Sequence, residues 1–143
     1  MKRQSWYSLP VVAAITFAGG WLAGQSQAQQ AQRPMVYELR TYTTLEGRLP
    51  ALHARFRDHT MKLFARHGMK NVLYTTPLNG ENKDNKLVYL LAHESQDAAE
   101  KSFAAFRSDP EWIKARDDSE KDGKIVSKVE SVFLAPTDYS PMK

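Results

Sequence analysis

The chain has 143 residues, room for one domain, and its 42% apolar, 25% charged and 10% aromatic content excludes a disordered or fibrous chain. The formal charge is only +4 and no basic cluster stands in the sequence, which argues against a nucleic-acid partner. Cysteine is absent, so thiol nucleophiles, cysteine-ligated zinc and iron–sulfur clusters are excluded.

The N-terminus comes first. Lys2 and Arg3 precede an uncharged, largely apolar run from about Leu9 to Ala23, and Ser26 and Ala28 then offer small residues for a cleavage site. That order predicts a secretory signal peptide over residues 1–28, with export to the periplasm or beyond after cleavage near Ala28. The alternative is a retained membrane anchor, since Trp6–Gly24 approaches the length of about 20 residues that a span needs. Pro10 and the Gly19–Gly20 pair interrupt that run, which favours cleavage. Lys2-Arg3 is not a twin arginine, so the general secretion route is expected. The leader holds two basic and no acidic residues, and its removal lowers the balance from +4 to +2. Residues 29–34 read as a polar linker closed by Pro34. The domain after it, without disulfides, must hold itself by core burial, and a chain of that size buries roughly two-thirds of its unfolded surface.

Met35–Thr43 alternates as a strand, rich in Val, Tyr and Thr. Glu46-Gly47 turns the chain, and from Leu49 to His67 the period becomes helical, with Leu52, Phe56, Thr60, Leu63 and His67 on one stripe and Phe64 widening it. Gly68 stands where a helix end needs positive φ. Asn71–Thr76 and Lys86–His93 predict a hairpin around a polar loop, with Leu87, Tyr89 and Leu91 sharing a face. Ser95 is a good N-cap for the next helix, whose stripe is Ala99, Phe103 and Phe106. Asp109-Pro110-Glu111 bends or restarts that element. A last strand runs from about Lys124 to Ala135, with Ile125, Val129 and Phe133 on one face. The order is strand, helix, strand, strand, helix, strand. It predicts an α+β, ferredoxin-like βαββαβ domain: one antiparallel sheet with two helices on one face.

"VYELRTYT", Gly47, "LFARHG", "DPEW" and "LAPTDYSP" stand in an order and spacing that resembles the NIPSNAP family over about Met35–Pro141. The resemblance implies a fold of the dimeric α/β-barrel type, with two sheets facing each other across a lumen, and hence a homodimer. It implies no catalytic motif that maps onto individual residues. On that frame Met35, Tyr37, Leu39 and Thr41 are expected to face the helices. Val36, Glu38, Arg40 and Tyr42 are expected to face the lumen, because an unpaired charge under a helix costs several kcal/mol.

Glu38 and Arg40 are the leading polar candidates, since residues two apart on a strand leave the same face. Arg40 can fix an anion while Glu38 orients it or takes a proton; the alternative is an ion pair that sets register. Tyr42, Tyr74 and Trp112 can line a pocket for an aromatic or acyl ligand, or can simply pack. His53, His59, His67 and His93 lack zinc spacing, so no metal is expected; His59 borders the apolar stripe and reaches inward, and His67 beside Gly68 serves the helix end. No cofactor is expected either, although a haem would need only one axial histidine. Two functions follow: an exported homodimer binding a small apolar or anionic ligand or a protein partner, and a small cofactor-free oxygenase or isomerase working in the lumen. The first is the reading adopted.

Overall fold

The computed structural model describes residues 35–142; the expected leader and linker lie outside them. Eight regular elements follow the predicted order: β1 (Val36–Thr44), α1 (Leu49–Arg55), α2 (Met61–Arg66), β2 (Lys70–Thr75), β3 (Lys86–His93), α3 (Gln96–Ser108), α4 (Pro110–Ser119) and β4 (Val126–Leu134). The strands form one sheet in the order β2-β3-β1-β4 with every neighbouring pair antiparallel, which is the ferredoxin-like arrangement.

The helix expected over 49–67 forms, but in two pieces. A wide π turn over Phe56–Thr60 separates α1 from α2, and the Thr60 hydroxyl donates to the Arg55 carbonyl five residues back. The stripe survives this interruption: Leu52, Phe56, Thr60, Leu63 and Phe64 are all buried. Gly68 ends the element at φ +80°, where a side chain would be strained. The second helical region also divides where the sequence indicates. Ser95 caps α3 by accepting from the Ala98 amide at 3.0 Å. Asp109 caps α4 by accepting from the Glu111 amide at 2.8 Å, and Pro110 takes the first helical position.

The core lies between the helices and the inner face of the sheet. Phe56 is its hub, meeting Tyr42, Phe64, Tyr74 and Tyr89 with ring centroids 5.2–6.1 Å apart. From the sheet side Leu87, Tyr89 and Leu91 point inward, as their shared parity requires.

The expected facing of β1 is reversed. Glu38, Arg40 and Tyr42 lie opposite Leu91, Tyr89 and Leu87 in the β1–β3 register, so they share the helix-covered face. Glu38 is only 2% exposed. Tyr37, Leu39 and Thr41 instead point to the outer face. Desolvation penalises this facing only for an unpaired carboxylate, and Glu38 is paired: three side chains meet it.

The outer face carries an apolar patch that none of the described residues covers, bordered at one end by Lys86, Lys128 and Glu130. Leu39, Leu73, Val132 and Leu134 are exposed on it, Val132 and Leu73 by more than half, and Val88 and Leu90 lie between them. On the inner face the helical cover thins out beyond β1. Along β4, Val129 and Ser131 remain exposed although they point toward the helix side.

Candidate functional site

The sequence of β1 places one acid and one base two residues apart on the inner face, and the neighbouring strands deliver their partners at matching heights. From β4, Ser131 lies beside Arg40 in register and Phe133 beside Glu38; from β3, Tyr89 lies opposite Arg40, and His93 ends the strand. From above, α3 presents Ala99, Phe103 and Ala104, two small residues flanking one ring. Between α3 and the β1–β4 edge an open cleft of about 580 Å³ is left, lined by Glu38, Arg40, Phe103 and Phe133 and rimmed by Glu100, Lys101 and Arg107.

Glu38 Oε1 accepts from Arg40 Nη1 and from the Ser131 hydroxyl, each at 2.5 Å, and Oε2 lies 3.1 Å from His93 Nε2. Burial pulls the pKa of this carboxyl upward, but the hydrogen bonds from His93 and Ser131 and the adjacent Arg40 outweigh it, so the group stays below the ordinary carboxylate range. Arg40 Nε donates to the Tyr89 hydroxyl at 2.9 Å, and the guanidinium stacks over Phe103 with Cζ 4.4 Å from the ring centroid. Burial works against its charge, while the Tyr89 and Tyr42 oxygens and Glu38 raise its affinity for the proton further. Burial in turn pushes the Tyr89 hydroxyl well above its usual range, so it stays neutral as Arg40's acceptor. The result is a fixed cation, one flank on an aromatic ring, beside an open half-apolar cleft. Such a group can hold an anion in place. His93 Nδ1 is buried without a partner among the described residues.

A family model described as NIPSNAP matches residues 37–141. The chain belongs to the NIPSNAP family. Among solved structures, a NIPSNAP family protein with unknown function from Agrobacterium tumefaciens is 25% identical, with a TM-score of 0.67 over 78% of this chain and 96% of its own. An uncharacterized NIPSNAP-like domain protein from Burkholderia xenovorans is 17% identical, with a TM-score of 0.66 over 76% and 90%. A monooxygenase from Streptomyces coelicolor, solved with the ligand nanaomycin D, shares the fold at 16% identity, with a TM-score of 0.53 over 76% and 92%. No curated protein matches the chain.

The NIPSNAP fold thus gathers three of the six residues singled out in the sequence, Glu38, Arg40 and Tyr42, though on the helix side of the sheet. Tyr42 sits with its ring centroid 5.7 Å from the Arg40 Cζ. Tyr74 stands one layer away: it stacks on Tyr89 at 5.2 Å, donates to Asn71 Oδ1, and burial raises its pKa above the ordinary phenol range. Trp112 closes over Phe106 at 4.4 Å, at the other end of the helix layer. His59 sits half-buried on the π turn, outside the cleft. His67 serves the helix end, with Nε2 2.7 Å from Asp109 Oδ2. No group of three metal-binding side chains occurs among the described residues. His93, Phe103 and Ser131 escaped the sequence reading of the site. The parity of β3 carried the signal for His93, since it continues the inward series Leu87, Tyr89, Leu91.

Proposed function

We propose that this NIPSNAP domain is an exported homodimeric binding protein that takes a small molecule with an anionic group and an apolar body into the cleft beside Arg40. The observation that carries the reading is the preorganised guanidinium. Its position is set by Glu38, Tyr89 and Phe103 before any ligand arrives, so little ordering cost remains at binding. Lys101 and Arg107 at the rim add positive charge that draws an anion in, and Phe103 and Phe133 offer its body apolar contact. Dimerisation is supported by the uncovered leucine and valine face of the sheet, a patch that monomers rarely leave open. Export is supported by the basic, apolar and small-residue order of the first 28 residues; no helix among the described residues is long and apolar enough to cross a membrane.

Native mass spectrometry of the protein from an exporting host tests all three parts. The expected species is a dimer starting near Gln29 with a small molecule retained, and Arg40→Gln releases that molecule with the dimer intact. A bare monomer that keeps its leader overturns the export and dimer readings. If Arg40→Gln breaks the dimer instead, the Glu38–Arg40 pair is a structural element.

One observation favours a second reading, a cofactor-free oxygenase or isomerase: the Glu38 carboxylate on the cleft wall lies within hydrogen-bond distance of the buried His93 imidazole behind it, an acid–base couple. The shared fold of the Streptomyces monooxygenase adds architecture only. Turnover of the retained molecule that His93→Gln abolishes while binding persists separates catalysis from binding.

A further inference from the structure

At the far end of β1 and β4 lies a second cleft of about 350 Å³. It sits between the α4 region and the first half of β4, with Tyr42 and Trp112 as aromatic walls and Val126 and Val129 as apolar floor. It shares no lining residue with the Arg40 cleft.

Arg55 lines this cleft and is 5% exposed. Its Nη1 reaches Glu120 Oε1 at 3.1 Å and the Ser119 hydroxyl at 3.3 Å, and its Cζ lies 5.4 Å from the Trp112 ring centroid. Its Nε–H, however, finds no acceptor among the described residues. An unpaired donor on a buried cation is rare in a folded chain, and it has a place for an acceptor. The surrounding charge agrees. Arg116 and Lys124 also line the cleft, against the single carboxylate of Glu120, while the Lys128 side chain leaves β4 on the outer face. Glu120 Oε1 is already shared between Arg55 and the Ile125 amide at 3.3 Å. Arg116 pairs with Asp117 and Lys128 with Glu130, but Lys124 has no ion-pair partner among the described residues. The cleft therefore combines a buried open donor, an exposed unpaired ammonium and two flat aromatic walls.

We propose that this cleft is a second binding site, selective for a small carboxylate on a flat aromatic body. The carboxylate would accept from Arg55 Nε and lie near Lys124, with the aromatic body against Trp112 and the valines. A bare phosphate satisfies the charges but leaves the apolar half of the cleft unused; an uncharged aromatic leaves the Arg55 donor open. The competing account is that Arg55 only grips the end of α4, as Arg48 does through its bond to the Gly123 carbonyl at 2.8 Å.

The test is an NMR titration of the full chain with 2-naphthoate, following the Trp112 indole and the Arg55 Nε–H resonances. Both are expected to shift saturably, with 2-naphthalenemethanol binding about tenfold more weakly because it brings no charge-assisted hydrogen bond. Lys124→Glu, an exposed change that leaves the fold intact by circular dichroism, is expected to weaken naphthoate by about five- to tenfold. Arg55→Lys, which keeps the charge and removes the Nε donor, is expected to weaken it as well. The proposal fails if the Trp112 and Arg55 signals do not saturate, or if shifts appear only at Phe103 and Arg40. It fails equally if the alcohol or inorganic phosphate binds as well as naphthoate, or if Lys124→Glu changes nothing.

Discussion

The inner face of the sheet is two surfaces with different duties, divided by Tyr89. On one side, under α1 and α2, Tyr89 stacks against Tyr74 and meets Phe56 and Phe64, and Tyr89, Phe56 and Phe64 are all buried. On the other side its hydroxyl accepts from Arg40, and from there to β4 the surface is polar and partly open. One half stabilises by area removed from water; the other is satisfied by named partners. The same ring belongs to both. A domain of this size can keep a half-open polar surface because the other half is packed around so many aromatic side chains.

The largest test of that division falls on the dry side. Phe56→Ala removes the hub ring and is expected to cost about 3–5 kcal/mol, read from the urea midpoint. On the polar side, Arg40→Met is expected to cost about 3 kcal/mol by leaving the Glu38 carboxylate buried beside a methionine. Adding Glu38→Gln should recover part of that loss, which a double-mutant cycle would measure. If the double variant is no more stable than Arg40→Met, the two side chains are not acting as a pair. Tyr89→Phe touches only the shared boundary. It keeps the aromatic packing, strips Arg40 of an acceptor, and should cost about 1 kcal/mol; a loss as large as that of Phe56→Ala would erase the distinction between the halves.

Acid should also separate them. Glu38 has its pKa lowered in the folded chain, so its contribution to stability is complete above the ordinary carboxyl value of 4.5 and is lost as the pH falls through the lower folded value. Glu38→Gln should therefore flatten the acid limb of the stability curve: the variant lies furthest below the parent at neutral pH, and the two converge as the pH falls below about 4.5 and through the lowered folded value. The smallest effect is expected at Ser95→Ala. Loss of the cap should cost about 0.5–1 kcal/mol and loosen the start of α3, the wall that carries Phe103.

Much of this architecture was legible in the chain. The caps at Ser95 and Asp109, the positive φ of Gly68 and the buried stripe of the first helical region follow from local rules, because their partners are within a few residues. The facing of β1 was not, for a physical reason. Its charges look expensive to bury when read alone; the Ser131 and His93 side chains that make them affordable lie 93 and 55 residues away. Leu39, read as the inward residue, instead joins the apolar patch of the outer face. The better guide was β3, whose inward series is unambiguous and whose antiparallel register fixes the parity of β1. The π turn was equally hidden, since a single helical stripe is compatible with both a continuous helix and an interrupted one.

Among the described residues β4 is an edge strand, mostly exposed and joined to the sheet only through β1. In hydrogen-exchange terms it should be the least protected strand, opening well below the free energy of global unfolding. Ser131 rides on it, so each excursion of the edge takes one hydrogen-bond donor away from Glu38 and returns it. The strength with which Arg40 is held thus fluctuates with the fraying of the strand at the open edge of the polar half, on the timescale of local opening.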